Sequence, residues 1–202
     1  MTSGLWERGK YGLVVATAAT TYPVSTAECK RWCSISTTAD DLLVDELVGA
    51  ATARFEADTG RTLINTIYNL YLDQFPGDGV VNLPRTPCLG SSTVTITYVD
   101  TNGTTQTFAS SDYTVDIKFE PNRIYPAQNA SWPSDVDGTI VRPIKVVFSC
   151  GYGVTQAGVP AIAKMAIKAA VAEQYRHREA GAMDEVAETG WRNAVALMRW
   201  EL

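Results

Sequence analysis

Histidine is almost missing from this chain: its 202 residues include one, His177, beside four cysteines, Cys29, Cys33, Cys88 and Cys150. Each shortage excludes a kind of chemistry. Zinc sites draw on clustered Cys and His, and neither a CxxC pair nor a Cys/His spacing of that kind is present. Cys29 and Cys33 stand one helical turn apart, so a metal there would need two further ligands that the sequence does not supply. Buried free thiols are the expected state. Four thiols at scattered positions predict no disulfide framework and suit a reducing cytoplasm. Nucleophilic catalysis usually pairs Ser or Cys with a histidine base. His177 instead stands among Arg176, Arg178 and Glu179 at a predicted helix C-terminus, where the helix dipole favours positive charge and a solvated capping role is expected. Long apolar runs are absent too. None approaches the roughly 20 residues needed to cross a bilayer, so no membrane partner is expected. The formal net charge of −5 argues against a protein whose main task is gripping nucleic acid.

Other motifs stop short of a site. Gly151-Tyr152-Gly153, between a predicted strand and the helix opening at Pro160, has the order of a phosphate loop but lacks GK[ST] and GxGxxG, and a tight turn accounts for it. Asp135-Val136-Asp137-Gly138 begins like a calcium loop, yet no glutamate closes it. Asn129-Ala130-Ser131 matches a glycosylation sequon without a secretory signal. Arg8 and Lys10 precede LVVATA, a run too short and too interrupted for a signal-peptide core, so this segment is read as a mature extended arm. No catalytic constellation, cofactor or metal site is expected, and the chain reads as non-enzymatic.

What is present is an ordinary globular composition, 46% apolar and 19% charged. Its length allows one domain with a sizeable core, or one domain with a modest insertion. The best-specified stretch is TADDLLVDELVGAATARFEADTG, Thr38 to Gly60. Thr37 or Thr38 can cap it, Asp40 and Asp41 place negative charge in its first turn, and Gly60 sits where a left-handed C-cap belongs. Leu43, Val44, Leu47, Val48, Ala51 and Phe55 form one stripe, with Asp45, Thr52 and Glu56 expected towards water. Gly49, Ala53 and Ala57 mark a third face. Alanine is a good helix former, which explains that face blandly; the sharper reading is a second packing surface, a candidate subunit interface.

Ahead of this helix, Ser25 and Glu28 make a capping box that opens a short helix to Cys33, with Ala27, Trp32 and Cys33 expected inward. After Gly60 the period changes to two. Ile64, Tyr68, Leu70 and Leu72 share one face of a predicted strand, and VVNL, TVTITYV, TTQTF, Tyr113–Val115, Arg123–Tyr125 and IKVVFSC continue the β region. Asp100-Thr101-Asn102-Gly103 is a hairpin turn signal. From Pro160 the chain returns to helix, apolar around most of its circumference and wet at Lys164, Lys168 and Tyr175. The last segment carries Val186, Trp191, Val195, Met198 and Trp200. Its tryptophans either fold back onto the core or, with Arg192 and Arg199 beside them, anchor a protein partner. The expected fold class is α+β: a single domain over 1–202, with a helical core at 26–60 and 160–200 and a β-rich insertion at 61–150.

An ordered set of landmarks along this chain resembles the head–tail connector, or adaptor, proteins of tailed bacteriophages. It comprises Pro23-Val24-Ser25 with Glu28 and Lys30, then Thr59-Gly60-Arg61, Tyr68-Asn69-Leu70 with Asp73, and Leu83-Pro84-Arg85-Thr86-Pro87. It continues with Tyr98 before the Asp100–Gly103 turn, Asp112-Tyr113, Trp132-Pro133 and Phe148. Gly151-Tyr152-Gly153, Val159-Pro160, and Tyr175 with Arg178-Glu179 complete it. Residues 1–20 and 181–202 carry least of the likeness.

The resemblance implies a structural virion protein made in the host bacterial cytoplasm. It would form a neck ring, typically of twelve copies, docked beneath the portal protein and above the next neck or tail-completion protein. The ring would extend the DNA channel, with genomic double-stranded DNA passing through its lumen without sequence-specific binding. An acidic balance suits such a wall. The candidate portal contact is the C-terminal segment with Trp191, Arg192, Met198, Arg199 and Trp200, and removal of 183–202 is expected to spare the fold. Rival readings are a tail-completion or tail-terminator protein, a small enzyme of unknown type using carboxylates, and a non-viral binding module.

Overall fold

A computed structural model describes residues 11–90, 94–177 and 184–199. The fold is α+β, and the chain divides into two compact units. Among the described residues, the helical unit takes Ala19–Ile64 and those from Tyr152 to Arg199, and the β-rich unit takes those up to Ala18 and those from Asn65 to Gly151.

In the helical unit, α1 (Thr26–Cys33) starts on the predicted capping box. The Ser25 hydroxyl accepts from the Glu28 amide at 3.2 Å, and the Glu28 carboxylate accepts from the Ser25 amide at 2.9 Å. That backbone hydrogen bond also holds the Glu28 carboxyl below its ordinary pKa. The inward residue of α1 is Cys29, whereas Ala27 and Trp32 are exposed and Cys33 is half-buried. The cap fixes the helix phase, and only the line through Cys29 then meets the core. Trp32 lies at the surface with the Lys168 ammonium 4.9 Å from its ring centroid.

The central helix α2 (Asp41–Thr59) is capped at Asp40, not at Thr37 or Thr38. Those threonines shape the preceding turn: the Thr37 hydroxyl accepts from the Ala39 amide, and the Thr38 carbonyl from the Asp41 amide. Gly60 closes the helix at φ 71°, a left-handed conformation that costs glycine little. Val44, Val48, Ala51 and Phe55 are buried as their spacing predicts. Thr52 is buried as well, against the expectation that it faces water. Its hydroxyl donates 2.7 Å back to the Val48 carbonyl, and Thr59 does the same to Phe55, so each polar atom enters the apolar face already satisfied.

The helix α3 (Ala161–Arg176) brings Ala163, Ile167, Ala170 and Val171 to this core. Its water-facing line is Ala161, Met165 and Ala169, while Lys164, Lys168 and Tyr175 are half-buried. Long lysine stems cover apolar surface while their ammonium groups stay wet, and the Tyr175 hydroxyl donates to Asp40. The last helix, α4 (Glu185–Met198), is capped by Asp184, which accepts from the Ala187 amide at 2.7 Å. Trp191, Ala194 and Met198 complete the core.

In the β-rich unit, a five-stranded antiparallel sheet has the order β1-β2-β8-β4-β5. Its strands are β1 (Tyr11–Thr17), β2 (Thr66–Leu72), β4 (Thr95–Val99), β5 (Thr105–Phe108) and β8 (Ile144–Cys150). A three-stranded sheet, β3-β7-β6, is built from β3 (Val81–Asn82), β6 (Tyr113–Asp116) and β7 (Arg123–Pro126). β2 alternates buried and half-buried as its period predicts, with Leu70 opposite Val146 and Tyr68 opposite Phe148 on β8. The predicted extended arm is a strand: Leu13 pairs with Leu70 and Val15 with Tyr68. Asp100 organises the β4–β5 turn by accepting from the Asn102 and Thr104 amides, both at 2.9 Å, and from the Gln106 side chain. Trp132, from the long loop before β8, stacks on Phe75 with centroids 4.5 Å apart, and its indole donates to the Gly79 carbonyl.

Candidate interaction surface

Among the described residues, no group of three or more His, Cys, Asp and Glu is placed to hold a metal, and no helix is long and apolar enough to cross a membrane. His177 lies exposed at the end of α3, 3.3 Å from Glu173, the position its helix-end sequence predicts. Gly151 and Gly153 take φ of 141° and 143° in a turn, and the Asp137 carboxylate accepts from the amide and hydroxyl of Thr139 in a polar turn of its own.

A cluster of charged side chains lines a shallow cleft of about 380 Å³ between α2 and α4. Arg54, on α2, sits at its centre. Its guanidinium donates to both Glu188 oxygens, at 3.0 and 2.9 Å, and lies 4.7 Å over the Trp191 ring. Asp58 accepts from the Trp191 indole at 2.8 Å and lies 3.6 Å from Arg54. Arg192 reaches Glu188 at 3.4 Å from the following turn of α4. The hydrogen bond from Arg54 is the main reason that the Glu188 carboxyl is held below the usual carboxylate range. Trp191 itself meets Phe55 edge to face, with centroids 5.4 Å apart. The arrangement clamps α4 to α2 with an aromatic inside and charge outside.

This clamp decides where the C-terminal candidates stand. Trp191 and Met198 are 3% and 6% exposed, taken into the core of their own unit. The Met198 carbonyl also accepts from the Arg61 guanidinium. Removal of 183–202 would therefore strip core side chains, contrary to the expectation that the fold survives it. Arg192 and Arg199 face water. Leu197 and Val186, on the same helix, are 76% and 81% exposed. Trp200 lies outside the described residues. Of the small-residue face, Ala53 and Ala57 are exposed, while Gly49 is covered: a Cβ there would stand 2.8 Å from the Tyr22 hydroxyl oxygen. Arg54, Asp58 and Glu188 went unread in the sequence. Two i,i+4 charge pairs, Arg54 with Asp58 and Glu188 with Arg192, were the available signal.

Compared with known proteins, the sequence matches no family model and no curated protein. Solved structures do match. A chain in the neck of an empty gene transfer agent (GTA) particle, computed with C6 symmetry, aligns at a TM-score of 0.80 and 21% identity, over 95% of this chain and 96% of that one. The fold is one found in the neck of gene transfer agent particles. A chain of the native GTA virion aligns at 0.77 and 22% identity, over 94% of this chain and 96% of that one. A third, from the neck of the native GTA particle computed with C12 symmetry, aligns at 0.72 and 20% identity, over 95% and 96%. The likeness runs essentially end to end, helical and β-rich units included.

Proposed function

We propose that this chain is a structural subunit of a head–tail connector ring in a phage-like particle, located in the virion neck. It docks beneath the portal, extends the DNA channel and joins the capsid to the tail. The observation that carries this reading is the end-to-end likeness to chains of GTA necks, in particles computed with C6 and with C12 symmetry; a ring of twelve copies satisfies both. The site supports a scaffold role: Arg54 holds α4 against α2, engaged by Glu188, Asp58 and Trp191 together.

In this reading Trp191 and Met198 position α4 from within, and the portal meets the outward residues Arg192 and Arg199. Ala53 and Ala57 on α2 are the candidate contact between neighbouring ring subunits. DNA passes through the ring without being gripped. The test is co-purification of the tagged chain with its portal protein and, separately, with its tail tube. Retention on portal alone supports the connector. Retention on tail tube alone moves the part to a tail-completion or tail-terminator role. The double variant Arg192→Glu, Arg199→Glu should lose portal binding with an unchanged circular dichroism spectrum, and full binding by that variant removes α4 from the contact.

A further inference from the structure

We propose that Cys88 and Cys150 are a latent cross-strand disulfide, a modification site built into the β-rich unit. The two residues face each other in an isolated antiparallel bridge. The Leu89 amide donates to the Ser149 carbonyl at 3.0 Å, and the Gly151 amide to the Pro87 carbonyl at 2.9 Å. These two bonds flank the cysteines and do not join them, so the pair occupies a non-hydrogen-bonded site of the ladder. At such sites opposed Cα atoms come to about 4.5 Å and side chains lie closest. That separation falls inside the range of natural disulfides, about 4.4–6.8 Å, so this pairing is compatible with the bond. The two thiols already interact with each other, and the Cys150 thiol also donates to the Arg85 carbonyl at 3.1 Å. Both are buried, and neither is in a disulfide. Cys29 and Cys33 differ: they follow each other along one helix and offer no strand pair.

The step needs an oxidant, and a small disulfide such as oxidised glutathione supplies it. Cys88, at 7% exposure the more accessible of the pair, attacks as its thiolate, forming a mixed disulfide and releasing one glutathione thiolate. The Cys150 thiolate then attacks the Cys88 sulfur and expels the second. The protein loses two protons and two electrons; oxidised glutathione takes up both pairs and becomes two glutathione thiols. Burial pushes the Cys150 thiol well above its ordinary pKa, so the second attack waits on local opening and the bond forms slowly. Once formed, it ties the segment after β3 to the end of β8, the strand from which the chain leaves the β-rich unit.

The test uses the full chain carrying Cys33→Ser, which removes the most exposed of the four thiols. The protein is incubated with oxidised glutathione, alkylated in denaturant and mapped by peptide mass. The expected product is a Cys88–Cys150 linked peptide, lighter than its two reduced halves by two hydrogens, with Cys29 alkylated. Its melting temperature should exceed that of the dithiothreitol-treated sample by about 5–10 °C, a gap absent in Cys88→Ala. Three alkylated cysteines after prolonged incubation, or a link through Cys29, overturn the proposal. Should Cys88→Ala fail to fold, the peptide map of the Cys33→Ser chain decides alone.

Discussion

The two units of this protein draw on different distances along the chain. The helical unit is assembled from helices whose ends and faces are set within a few residues: a capping box at Ser25 and Glu28, a glycine cap at Gly60, an i−4 hydroxyl bond at Thr52. Its distant contacts include a clamp, where Phe55, Arg54 and Asp58 of α2 receive Trp191 of α4. The β-rich unit inverts that plan. Its central strands β2 and β8 lie far apart in sequence, β1 arrives from the other end of the chain, and Trp132 reaches over to Phe75 from a loop. Local signals specify the first unit and pairing register the second, so single substitutions should act on them differently.

The largest effects should come from the aromatic centres. Trp191→Ala removes the residue that closes the helical core and leaves the Asp58 carboxylate without its indole donor. A loss of about 3–5 kcal/mol is expected in urea unfolding followed by helix circular dichroism. A loss under about 1 kcal/mol would mean that the tryptophan is not a core residue. Phe148→Ala, opposite Tyr68 and fully buried, should cost a similar ~3–5 kcal/mol. It should also expose β2 and β8 amides to hydrogen exchange, and unchanged protection there would contradict the pairing described.

Ser25→Ala is a local change and should cost about 1 kcal/mol by removing half of the capping box. Amide exchange confined to α1 is the signature, and none at all would make the cap incidental. Arg54→Met should matter less again at neutral pH, because the guanidinium is partly exposed and its ion pair is screened. Its value is a pH dependence. Arg54 lowers the folded-state pKa of Glu188, so the pair stabilises above the unfolded-state value near 4.3 and is lost as pH falls through the folded one. The gap in melting temperature between wild type and Arg54→Met should be full at pH 7 and close on acidification below about pH 4. A gap that stays constant would show that Glu188 is not the partner that counts. Ala53→Leu is the smallest change for the fold, within about 0.5 kcal/mol for an exposed helix position, and the largest for assembly if that face meets a neighbour. Unchanged rings in that variant remove Ala53 from the interface.

The helices were legible because their signals are short-range. Ser25, Glu28 and Gly60 name their ends, and the α2 stripe from Val44 to Phe55 names its face. Alternation around Tyr68, Leu70 and Leu72 likewise gave β2 its buried side. What stayed hidden depends on partners remote in sequence. The arm at Tyr11–Thr17 shows no turn signal pointing to β2, and Thr52 looks polar until its hydroxyl is seen to turn back on Val48. Cys88 and Cys150 are scattered thiols in one dimension and neighbours in three. Trp191 posed the sharpest choice, core or contact. The sequence left both open, and Phe55 with Asp58 resolves it towards the core. The ring landmarks were legible only as a resemblance, and the GTA neck fold agrees with it.

The most direct test of a connector role is negative-stain electron microscopy of the purified chain, alone and mixed with its portal protein. The account predicts rings of about a dozen subunits stacked coaxially on one end of the portal, whether or not the isolated chain forms rings. Portal particles that remain bare at saturating concentrations of folded protein would contradict it.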